Sequence, residues 1–106
     1  MATYKVIDGK NYAFIGGSDQ HIYQIDIEEN KLVFDWDAVE TNDETPCSLA
    51  VSPTAEYLVS GHKSYIKGWK INERKKDFQL SIQGYYDIRC LSFAPTGTAL
   101  FVARGG

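Results

Sequence analysis

Leu49-Ala50-Val51-Ser52-Pro53-Thr54-Ala55-Glu56-Tyr57-Leu58 returns as Leu91-Ser92-Phe93-Ala94-Pro95-Thr96-Gly97-Thr98-Ala99-Leu100, with Pro95 standing 42 residues after Pro53. In both copies an apolar run enters a turn built on proline, and a second apolar run leaves it. Proline holds φ near −65° and glycine takes positive φ at no steric cost, so Pro95-Thr96-Gly97 suits a tight turn between strands. An earlier pair repeats at nearly the same interval. Gly17 followed by Ile22-Tyr23-Gln24-Ile25 aligns with Gly61 followed by Ile66-Lys67-Gly68-Trp69, 44 residues on.

Each unit divides into short β-rich runs fenced by turn residues. Thr3 to Ile7 meets Asp8-Gly9-Lys10-Asn11, a strong turn signal; Tyr12 to Ile15, His21 to Ile27 and Lys31 to Trp36 follow. The second unit runs Cys47 to Val51, Tyr57 to Ser60, Tyr65 to Ile71 and Asp77 to Ile82, and a third opens with Ile88 to Phe93 and Ala99 to Val102. No segment sustains apolar spacing of three and four over the roughly 10–12 residues a helix needs. The short polar stretch Asn72 to Lys76 reads as a hairpin turn. The chain is therefore expected to be all-β, with ten strands in the order four, four, two, and with Val51, Leu58, Trp69, Leu91, Phe93 and Leu100 in the core.

A strand-only repeat of roughly 40–45 residues has the period of a β-propeller blade. The expectation is four-stranded antiparallel blades at about 1–38 and 46–83, with the start of a third at 87–106. That is about two and a half blades, where a ring takes about 4–8. One blade cannot bury both faces of its sheet, so blades must stack. The incomplete ring is expected to be part of a longer chain, or to be closed by association of copies.

With 43% hydrophobic and 13% aromatic residues the chain can bury a core, which argues against disorder. A formal charge of −3 argues against an electrostatic grip on bare nucleic acid. No apolar run approaches the ~18 residues of a membrane-spanning helix, and Met1-Ala2-Thr3-Tyr4-Lys5 does not open a signal peptide. Cys47 and Cys90 are too few for a secreted disulfide scaffold and are expected to be reduced, buried thiols in an intracellular protein.

Ile88-Arg89-Cys90-Leu91-Ser92-Phe93-Ala94-Pro95-Thr96-Gly97 resembles the inner strand and following turn of WD-repeat blades, which typically read V-x-x-L-x-F-S-P-x-G. Tyr65-Ile66-Lys67-Gly68-Trp69-Lys70 resembles the third strand, usually T-I-K-L-W-D, with Lys70 in place of the Asp; in the first unit Ile25-Asp26 stands where Trp-Asp would be. The resemblance covers essentially the whole chain. It departs from the family in the histidine of the His–Asp–Ser–Trp network that often braces a blade. Gly84-Tyr85 and the Glu44-Thr45-Pro46 region hold that place, and Gly61-His62 lies after the second strand instead of before the first. The bracing network is expected to be absent, leaving the blades to apolar packing. Within the family, Ser92 to Leu100 is most similar in texture to the first propeller of the transducin-β-like WD-repeat subunit of the small-subunit processome.

No residue pattern carries chemistry. His21 and His62, the two histidines, have no metal-ligand spacing and read as surface polar residues; no G-x-S-x-G elbow or positioned base serves a serine nucleophile. The acidic set Asp35, Asp37, Glu40, Asp43 and Glu44 lacks the glycine a calcium loop needs and reads as a solvated loop. Gly16-Gly17 ends a strand and opens no helix, so it cradles no phosphate. No cofactor, metal or catalytic residue is expected. Two partner-binding candidates stand out. Tyr85 and Tyr86, in the connection between blades, offer large amphipathic surface of the kind interfaces favour. Arg74-Lys75-Lys76 is the one basic run, partly neutralised by Glu73 and Asp77.

The resemblance implies a non-catalytic scaffold that holds proteins of a larger assembly. It favours ribosome biogenesis and small-subunit rRNA processing in the nucleolus or nucleus, with RNA association indirect and no membrane partner. The alternative class is a propeller-type enzyme or sugar-binding module acting as an oligomer. Either would need convergent polar or aromatic groups recurring blade by blade, and no such recurrence is visible.

Overall fold

The first two strands join through a tight turn whose residues dictate it. In the computed structural model, which describes residues 2–16, 21–36, 47–62, 65–81, 88–97 and 99–104, Asp8 and Gly9 both take positive φ, 50° and 77°. That is the two-residue hairpin turn whose twist matches the flanking strands. It joins β1 (Ala2–Ile7) to β2 (Lys10–Gly16) with Ile7 opposite Lys10. β3 (Ile22–Asp26) and β4 (Lys31–Asp35) complete a four-stranded antiparallel sheet in chain order. A second such sheet holds β5 (Ser48–Val51), β6 (Tyr57–Gly61), β7 (Tyr65–Lys70) and β8 (Lys75–Ser81), and β9 (Ile88–Phe93) pairs with β10 (Leu100–Arg104) in a third. The described chain is all-β, as the sequence leads one to expect, with no helix, and its sheets of four, four and two strands do not close into a barrel.

The backbone repeats as the sequence does. The turns Ile27 to Asn30 and Ile71 to Arg74 both end on a left-handed residue, Asn30 at φ 54° and Arg74 at φ 53°, 44 positions apart. The hairpins they close share a register shift, between Gln24 and Ile25 in the first sheet and between Gly68 and Trp69 in the second. The Pro-centred turns match too. Ala55 N–H donates to the Ser52 carbonyl at 2.9 Å and Gly97 N–H to that of Ala94 at 2.8 Å, with φ of 61° at Ala55 and 76° at Gly97.

The sheets stack face to face, and the first strand of each lies next to the first strand of the next: β5 touches both β1 and β9. The core between the first and second sheets is built from Phe14, Ile22 and Trp36 against Leu49, Leu58 and Trp69. The core between the second and third takes Ala50, Val59 and Ile66 against Leu91, with Phe93 and Leu100 at its margin. Neighbouring residues of one strand, such as Leu49 and Ala50, therefore feed different cores. This is why β5, β6 and β7 are buried almost without alternation while β3 alternates. Of the expected core, Leu58, Trp69 and Leu91 are buried, and Val51, Phe93 and Leu100 pack partly buried against it. Cys47 is half-buried, not buried as expected, because it sits just before β5 at the sheet margin; the Cys90 side chain lies outside the described residues.

Among the described residues, apolar side chains stay exposed on two sides. The far face of the first sheet shows Tyr4, Val6 and Leu32, each more than half exposed, and β8 and β10 show Leu80 and Phe101.

Candidate functional site

The basic run straddles a turn and a strand. Ile71 to Arg74 turn the chain, and Lys75 and Lys76 begin β8, so those two lysines point to opposite faces by the alternation of a strand. The Arg74 guanidinium carbon lies 4.7 Å from the centre of the Phe34 ring, a cation–π contact from the second sheet to β4 of the first. Lys75 reaches Glu73 at 3.7 Å, and Lys76 donates to the Gln79 side-chain carbonyl at 2.8 Å. Each basic group thus has an intramolecular partner, and Arg74 ties two sheets together. Tyr85 and Tyr86, and all of the acidic loop except Asp35, lie outside the described residues. Asp35 Oδ1 accepts a hydrogen bond from His21 Nδ1–H at 3.0 Å, and the His21 ring stacks on Tyr23.

His62 corrects the sequence reading. It is fully buried, not a surface residue, and its Nε2 shares a 2.8 Å hydrogen bond with Ser60 Oγ, which is also fully buried. The Tyr65 ring stacks on the imidazole at 4.4 Å between centroids, and Lys67, 1% exposed, places its ammonium 5.7 Å from the Tyr65 ring. The strand period brings these groups together. Ser60 and Lys67 stand opposite one another in the β6–β7 ladder, and Tyr65 lies two residues from Lys67 on the same face. That face also carries Leu58 and Trp69, toward the first sheet. The spacing of two from Ser60 to His62 was the available sign of this pair; reading His62 as a turn residue concealed it.

A serine and an imidazole at hydrogen-bond distance could make a nucleophile. Here both are sealed from solvent, and a carbonyl substrate has no approach to Ser60 Oγ. The pair acts as a polar brace in the sheet interface, where satisfied buried groups specify one packing. The expectation that the sheets rely on apolar packing alone is therefore corrected: a Ser–His pair is present, with its histidine after the second strand. The first sheet has its own buried polar contact, Trp36 Nε1–H donating to Gln24 Oε1 at 3.2 Å.

Among the described residues no three His, Cys, Asp or Glu side chains cluster so as to hold a metal, and no helix is long and apolar enough to cross a membrane. Neither a family model nor a curated protein matches the chain.

Proposed function

We propose that the three sheets are successive blades of a WD-repeat-like β-propeller and that the chain is a non-catalytic scaffold in an intracellular protein assembly. The observation that carries the reading is the serial contact of first strands, β1 with β5 and β5 with β9, joined to the 44-residue recurrence of turns and bulges. Stacked sheets that share an inner row of strands leave apolar faces open at both ends of the stack, as an incomplete ring does. Further blades, of a longer chain or of a second copy, are the partners those faces suit. The resemblance of Ser92 to Leu100 to the processome subunit favours ribosome biogenesis and a nucleolar or nuclear setting.

Two measurements test this. Light scattering on the 106-residue chain should report association; a stable, soluble monomer would count against the open ring. In a pull-down from cell extract, Tyr85→Ala/Tyr86→Ala should lose partners that Arg74→Ala/Lys75→Ala/Lys76→Ala retains, because the basic groups already have intramolecular partners. The reverse result would make the basic tip the docking site.

A further inference from the structure

We draw no further inference here: the strongest candidate, the polar cleft between the β5–β6 and β7–β8 turns lined by Glu56, Tyr57, Lys70, Asn72 and Glu73, carries none, because it lies at the surface, its Glu73 already pairs with Lys75, and nothing in the structure shows what would occupy it.

Discussion

The ring of Phe78 lies over the bare Cα of Gly68, its partner in the β7–β8 ladder, and a methyl group on Gly68 would overlap the ring. The absence of a side chain at Gly68 is thus what lets β8 close onto β7 at the register shift that follows.

Gly68→Ala should therefore destabilise the chain by about 1 kcal/mol, the lower end of the usual cost of overpacking, because the part-exposed Phe78 ring can swing aside. Urea unfolding measures it. Phe78→Ala in the same chain should remove most of that penalty, because the obstruction is a side chain and not backbone. Equal penalties with and without the Phe78 ring would refute the contact.

Arg74 and Phe34 should be energetically coupled across the sheet interface. A double-mutant cycle of Arg74→Ala and Phe34→Leu is expected to give about 0.5–1 kcal/mol, typical of a cation–π pair at a partly exposed site. A coupling of zero would mean that the guanidinium merely rests there.

His62→Ala should cost about 2–4 kcal/mol, since it opens a cavity and leaves Ser60 Oγ buried without its imidazole partner. The double variant Ser60→Ala/His62→Ala should cost clearly less than the two single losses added together, because it removes both polar partners at once. Thermal denaturation of the three variants decides. Losses that simply add would argue that the hydrogen bond contributes nothing.

Gly97→Ala should lose about 1 kcal/mol, because a φ of 76° is unfavourable for any residue with a Cβ. Space is not the issue: a methyl there would meet Pro53 Cδ at an ordinary 3.7 Å. Ala55 bears the same strain at φ 61°, yet its methyl is buried, so Ala55→Gly should change stability by less than Gly97→Ala does. A larger effect at Ala55 would show that its buried methyl outweighs the backbone.

The strand count, the strand order and the turns at Asp8-Gly9 and Pro53 were legible in the chain because their causes are local. Alternation, β-branching and the φ preferences of Gly, Pro and Asn act within a few residues. The matched left-handed residues Asn30 and Arg74, 44 positions apart, and the matched register shifts beside them came from the structure and agree with the repeat. Packing between sheets was not legible in this way. Sequence did not say that Leu49 and Ala50 serve different cores, that Arg74 spends its charge on Phe34, or that Lys67 and His62 are sealed inside. Burial depends on which sheet lies over which, and that is settled by contacts between residues tens of positions apart. A polar side chain near a turn reads as solvated until a neighbouring sheet covers it. Tertiary stacking made His62 a brace.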